Sequence, residues 1–212
     1  MPLACHIFLV DTSHGGFAVT FRDGRGKLHV NSPLLSAFEE SFTAYRPVRK
    51  PPGYRGMGHM PGLYWHSRMK THVSYESRLE LAVLLQLDFE PSVLHVLPQP
   101  FVLHFAQGGR SRRHIPDFLV WHIDGHMTVI DVKARRELED PAVKAVFNAT
   151  QRACEDRGIT YSVQSEPPPS LLANLVWLAG YKAAPASLDD MYRPSLKLAQ
   201  LGLRSSRGSL KL

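Results

Sequence analysis

Pro116-Asp117-Phe118-Leu119-Val120-Trp121-His122-Ile123-Asp124-Gly125-His126-Met127-Thr128-Val129-Ile130-Asp131-Val132-Lys133 is the stretch on which the fold turns. Asp124-Gly125 between two apolar runs signals a hairpin, so His114 to His122 and Met127 to Ala134 read as paired strands. Side chains alternate faces along a strand, so loop length decides which residues meet. A two-residue loop at Asp124-Gly125 sets Asp117 opposite Val132 and sends Asp131 to the other face. A three-residue loop, Ile123-Asp124-Gly125, with Gly125 in the left-handed position of a bulge, sets Asp117 opposite Asp131, Cα atoms ~4.5 to 5.5 Å apart. Lys133 joins that face by the strand period. Two carboxylates this close repel unless a cation lies between them, so this register predicts a metal.

Two carboxylates and a lysine on adjoining strands can hold a divalent cation against a phosphodiester and position the attacking water. An acid and a lysine ending a run that is apolar through Ile130 and Val132 are costly unless paired; the competing reading is an Asp131–Lys133 ion pair on an edge strand. A third carboxylate is expected from the stretch Tyr75 to Leu87, which reads as a largely buried helix with Ser74 as its N-cap. Glu76 and Glu80 lie one turn apart on it. Glu76, in the first turn, favours the helix dipole. Glu80, among Leu79, Leu81, Val83 and Leu84, is the expected ligand or ligand-orienting acid.

Outward from the hairpin, Val93 to Leu97 and Phe101 to Phe105 read as strands broken at Pro98-Gln99-Pro100. Pro141 to Asp156 reads as a helix with Asp140 as N-cap, Pro141 at its first position and Gly158 as its stop, and Ile159 to Val163 as a further strand. This order predicts an α/β core with a mixed central sheet flanked by helices. Cys5 to Val10, Phe17 to Phe21 and Leu28 to Val30 suggest a small N-terminal β element, followed by a Pro/Gly-rich arm. After Pro167-Pro168-Pro169, Leu171 to Leu178 and Leu188 to Leu201 read as short helices before a Ser/Gly/Lys-rich tail. The expected division is 1–63 for the N-terminal element and arm, 64–166 for the core and 167–212 for the helical extension.

The chain of 212 residues, 44% hydrophobic and 21% charged, has the composition of a globular protein rather than a disordered one. It has no apolar run near the ~20 residues of a transmembrane helix and no signal-peptide pattern at its start, which predicts a cytoplasmic protein without a membrane partner. A net charge of +6 favours a polyanionic partner, and the charge is clustered. Arg46, Arg49, Lys50, Arg55, Arg68 and Lys70 fall in one Pro/Gly/aromatic segment, and Arg110, Arg112 and Arg113 directly precede Pro116-Asp117. Solubility is one reading; the sharper one is a phosphate-contacting rim beside the metal site, with Tyr54, Tyr64 and Trp65 for sugar or base contacts. Cys5 and Cys154 match no metal or redox spacing and are expected to be packing residues. His122 and His126 straddle the predicted turn, which argues against zinc, and no Walker or dinucleotide motif is present.

Ser77-Arg78-Leu79-Glu80-Leu81-Ala82-Val83, Pro98-Gln99-Pro100, Pro116-Asp117-Phe118-Leu119-Val120 and Ile130-Asp131-Val132-Lys133, in that order, resemble the TnsA endonuclease subunit of heteromeric transposases, a branch of the PD-(D/E)XK nucleases. The similarity spans about Tyr64 to Ser165. It implies a restriction-endonuclease-like fold and Mg2+-dependent cleavage of double-stranded DNA, with Mn2+ as a substitute metal. The implied role is to cut the 5′ strand at transposon ends beside a TnsB-like DDE transposase and a TnsC-like AAA+ ATPase. Glu80, Asp117, Asp131 and Lys133 fall on the catalytic positions, where some family members carry Gln in place of Asp131. The implied metal ligands are Glu80, Asp117, Asp131 and the Val132 carbonyl, with Lys133 orienting the water and Gln99 contacting DNA or a ligand. A restriction or phage nuclease, and a non-catalytic DNA-binding subunit of the same fold, are the competing functions. The latter is favoured if Asp131 or Lys133 turns away from Asp117.

Overall fold

In the computed structural model, residues 16–33, 37–38, 41–49 and 60–182 are described. The expected strand from Cys5 to Val10, the arm residues Lys50, Tyr54 and Arg55, the helix from Leu188 to Leu201 and the tail lie outside them.

Two sheets form the frame. The first contains β1 (Phe17–Asp23), β2 (Leu28–Ser32), β7 (Phe101–Gln107) and β8 (Arg110–His114) in the order β2-β1-β7-β8, with the short β3 (Tyr45–Arg46) pairing to β1. The N-terminal β element is thus an integral part of a sheet, because β1 runs antiparallel to β7 from Phe17↔Phe105 to Phe21↔Phe101. The second sheet has the order β11-β10-β9-β6, from β6 (Val93–Pro98), β9 (Phe118–His122), β10 (Met127–Val132) and β11 (Thr160–Gln164). β10 pairs antiparallel with β9 and parallel with β11, so the sheet is mixed and the fold is α/β, restriction-endonuclease-like.

The expected strand from His114 to His122 is two strands in two sheets. Pro116 has no N–H to give a ladder, and the chain leaves the first sheet at His114 and enters the second at Phe118. A hairpin of β4 (Gly62–His66) and β5 (Thr71–Tyr75) also escapes sequence reading. Its outward Leu63 and Trp65 are exposed apolar residues, which hides the alternation that marks a half-buried strand.

Helix α1 (Arg78–Phe89) starts at Ser77, whose hydroxyl accepts from the Glu80 N–H, and not at Ser74, which lies in β5. Helix α2 (Pro141–Arg157) has the expected caps: Asp140 accepts from the Ala142 N–H, and Gly158 takes a left-handed φ of 72°. Helix α3 (Pro169–Lys182) packs on α1.

Alternation along β9 and β10 divides the core. Phe118, Val120 and Ile130 pack with Val83 and Leu84 of α1, whereas Leu119, Trp121 and Val129 pack with Ala149, Ala153 and Cys154 of α2 and with the first sheet. Functional side chains at the open ends of β9 and β10 are therefore set between α1 on one side and α2 on the other.

Candidate active site

The turn decides the site. The β9–β10 register runs from Met127↔Trp121 to Ile130↔Phe118, which projects Asp131 onto Asp117. His122 N–H donates to His126 O at 3.0 Å, Gly125 N–H to His122 O at 3.0 Å, and Gly125 has a φ of 87°. This is the three-residue bulged loop that the metal reading requires.

The ladder stops one residue short of Asp117. Asp117 N–H donates to Ile130 O at 3.1 Å, and its carboxylate Oδ2 accepts the Val132 N–H at 2.6 Å. Asp117 therefore docks on the backbone of the opposing strand through one oxygen and leaves the other free of that bond. Burial, then the negative fields of Glu80 and Asp131, push its carboxyl up to about 8, against the Val132 N–H, which lowers it.

Glu80 is buried in the first turn of α1 and takes the Ser77 hydroxyl at 2.9 Å and the Glu76 N–H at 2.8 Å. With Ser77 capping the Glu80 N–H this is a reciprocal capping arrangement, so Glu80 has a structural duty as well as a place beside Asp117. Burial raises its carboxyl above the usual range. Glu76, which precedes the helix, takes Arg49 at 2.8 Å on Oε2, and its Oε1 is buried with no hydrogen-bond partner.

Asp131 is 2% exposed and is not bare. His114 Nε2 lies 2.8 and 2.9 Å from its two oxygens, and the Tyr161 hydroxyl donates to Oδ2 at 2.6 Å. Burial and Asp131 together push the Tyr161 hydroxyl well above its usual range. The sequence alone does not single out His114 or Tyr161 as site residues. Only the structure brings them together, through the end of β8 and the parallel pairing of Tyr161 with Val129. Lys133 does not pair with Asp131; its Nζ reaches Glu137 Oε2 at 2.7 Å.

The acids share fields, but among the described residues no three of His, Cys, Asp or Glu stand close enough together to hold a metal. The acidic donors are carboxylate oxygens, with an orphaned buried oxygen on Glu76 and an Asp117 whose ionisation is opposed by burial and by its acidic neighbours. That chemistry fits a hard divalent cation.

The basic residues divide. Arg110, Arg112 and Arg113 are exposed on β8, the strand that ends in His114, whose side chain reaches Asp131. Arg49 is engaged by Glu76. Arg68 donates to the carbonyls of Pro91 and Val93, and with Lys70 it forms the β4–β5 turn, at the opposite end of α1 from Glu80, on the order of 13 Å of helix away. These two do not rim the site. Tyr64 is bound to Asp88 at 2.8 Å, whereas Trp65 is partly exposed. Gln99 is 3% exposed with a left-handed φ of 46°; its N–H donates to Asp117 O at 2.8 Å and its Oε1 has no partner. Cys154 is buried and its thiol is pushed up to about 12 by burial and by Asp131, which suits packing and not nucleophilic attack.

Residues 90–166 match the family model described as TnsA-like endonuclease N terminal. The chain carries a TnsA-like nuclease domain. The matched span contains Gln99, His114, Asp117, Asp131, Lys133 and Tyr161, and α1 with Glu80 precedes it. No curated protein matches the chain. A solved structure, protein VC1899 from Vibrio cholerae, is similar at 16% identity and a TM-score of 0.23, covering 48% of this chain. The chain spans 33% of that structure's length. The β9–β10 hairpin lies within the matched span. No helix among the described residues is long and apolar enough to cross a membrane.

Proposed function

We propose that the TnsA-like domain is a Mg2+-dependent endodeoxyribonuclease that hydrolyses a phosphodiester of double-stranded DNA, with Mn2+ able to replace Mg2+. The observation that carries this reading is Asp117: its carboxylate is anchored by the Val132 N–H while burial, and then Glu80 and Asp131, oppose its ionisation. Arg49 pairs with Glu76 and His114 with Asp131, but among the described residues no ion pair reaches Asp117, and a metal would supply that charge. Glu80, Asp117 and Asp131 would hold the ion, with the Val132 carbonyl as a further oxygen donor. The ion would supply Lewis acidity at the scissile phosphate and an acidified water.

The chain's own residues perform the remaining work. Lys133, on the strand of Asp131, would orient the attacking water and stabilise charge on the phosphorane once it leaves Glu137. That ion pair is partly exposed to solvent, so its loss costs little. Arg110, Arg112 and Arg113 would grip backbone phosphates next to Asp131.

The substrate in this reading is a transposon end, with cleavage of the 5′ strand, a TnsB-like DDE transposase cutting the other strand and a TnsC-like AAA+ ATPase regulating both. The family match supports it. A second reading, a non-catalytic DNA-binding subunit with the nuclease fold, is favoured by the engagement of Asp131 with His114 and Tyr161 and of Lys133 with Glu137. A nicking assay with Mg2+ on transposon-end and plasmid DNA separates them. The nuclease reading expects cleavage by the wild type and none by Asp117→Ala, with Lys133→Ala strongly impaired. Equal nicking by all three, or none by the wild type with its transposase present, would overturn it.

A further inference from the structure

His114 and Tyr161 have no part in the chemistry just proposed, yet both end on Asp131. They come from different sheets: His114 closes β8 of the first, and Tyr161 lies on β11 of the second, beside β10. The imidazole Nε2 is 2.8 Å from Oδ2 and 2.9 Å from Oδ1, and the phenol donates to Oδ2 at 2.6 Å. One imidazole nitrogen brings one hydrogen, so it cannot satisfy both oxygens fully. Oδ2, which also takes the tyrosine, is the better satisfied, and Oδ1 keeps spare acceptor capacity. Two donors fixed on two sheets leave the carboxylate little freedom to rotate. His114 can act this way only because Pro116 splits the expected strand and leaves it on the neighbouring sheet.

We propose that His114 and Tyr161 are positioning residues that orient Asp131 so that Oδ1 is the oxygen offered to a divalent cation. The inference rests on the metal-dependent reading above. Donors behind a metal ligand commonly change metal affinity by roughly 10–100-fold when removed. His114 is the stronger case, since it alone reaches both oxygens. β8 also carries Arg110, Arg112 and Arg113, so the strand that would meet phosphate is the one that holds Asp131.

The test is Mn2+ binding by the full chain without DNA, followed by electron paramagnetic resonance and calorimetry, alongside the thermal midpoint of each variant. His114→Ala is expected to weaken Mn2+ binding roughly 10–100-fold. His114→Gln, whose Nε2 amide can donate from a similar place, should recover most of it, and Tyr161→Phe should lose less than His114→Ala. Wild-type affinity in His114→Ala overturns the positioning role. So does a loss that His114→Gln fails to recover and that follows the thermal midpoint, because the pair would then be only a joint between sheets. A wild type that binds no Mn2+ overturns the metal-dependent reading itself and this inference with it.

Discussion

The two ends of α1 both carry buried carboxylates, and they are treated in opposite ways. At the C-terminal end Asp88 takes the Tyr64 hydroxyl at 2.8 Å, the Ser67 hydroxyl at 2.9 Å and the Ser67 N–H at 3.2 Å. Lys182 of α3 lies 3.1 Å away and His66 3.2 Å away. Burial works to raise the Asp88 carboxyl, but these donors and cations outweigh it and hold it below its usual range. At the N-terminal end burial raises both Glu80 and Asp117, neighbouring acids add to it, and the donors on Glu80 and the field of Arg49 do not bring it back down. Burial is common to the two ends, so burial does not mark a functional acid. What differs is where the compensating charge goes: Lys182 pairs with Asp88 itself, whereas Arg49 pairs with Glu76 and, among the described residues, no cation pairs with Asp117. Asp88 fastens the β4–β5 hairpin and α3 to α1, whereas Asp117, in the proposed reading, waits for a cation.

The largest expected effect is on cleavage. Asp117→Asn should abolish nicking, whereas Lys133→Ala should lower it roughly 10²–10³-fold, the scale of a lost charge-stabilising donor. Neither should lower the thermal midpoint of the metal-free protein. Asp88→Ala should do the reverse, destabilising by about 2–4 kcal/mol in denaturant titrations because it strands Lys182, Tyr64 and Ser67, while Mn2+ binding in the folded fraction is unchanged. Loss of metal binding in Asp88→Ala, at a temperature where it remains folded, would break the contrast between the two ends.

The pH dependence of stability comes next, and the two ends again have opposite signs. The Asp117 carboxyl is raised from its ordinary 3.8 to about 8, so the folded chain holds a proton that the unfolded chain has released. Between those values the metal-free protein should lose stability as pH rises. Asp88 is lowered, so its contribution is present above the ordinary carboxylate value and fades as pH falls through its own. Denaturant midpoints from about pH 4.5 to about pH 8 should therefore decline in the wild type and flatten in Asp117→Asn. Added Mg2+ should stabilise more at the upper end of that range than at the lower. A Mg2+ effect independent of pH would contradict the assignment of Asp117.

The smallest effect is in DNA affinity. Removing Arg112 or Arg113 should weaken binding evenly across sequences and reduce the salt slope by about one for each phosphate no longer neutralised, measured by anisotropy. Arg68→Ala should leave that slope unchanged, since its guanidinium is held by the carbonyls of Pro91 and Val93.

The sequence carries the parts of this arrangement that local chemistry controls. The Asp124-Gly125 turn, the left-handed Gly125 and the caps of α2 all follow from residue types within a few positions of one another. The start of α1 lies three residues beyond the expected cap because Ser74 and Ser77 are equally good caps in isolation, and only Glu80 folding back on Ser77 chooses between them. The hold on Asp131 is not legible at all. It depends on β8 and β11 arriving from two sheets, and no spacing in the chain encodes that meeting. Lys133 and Glu137 stand only four residues apart, but Asp131, two residues from Lys133, is the more obvious partner until the turn after β10 brings Glu137 back.

The central claim is that the acids at the N-terminal end of α1 and at the ends of β9 and β10 form a cation site. Anomalous diffraction from a crystal grown with Mn2+ tests it most directly. The account predicts a peak bonded to Asp117 with Glu80 or Asp131, and none at Asp88. A peak elsewhere, or an Asp117 that still bonds only the Val132 N–H at saturating Mn2+, would contradict it.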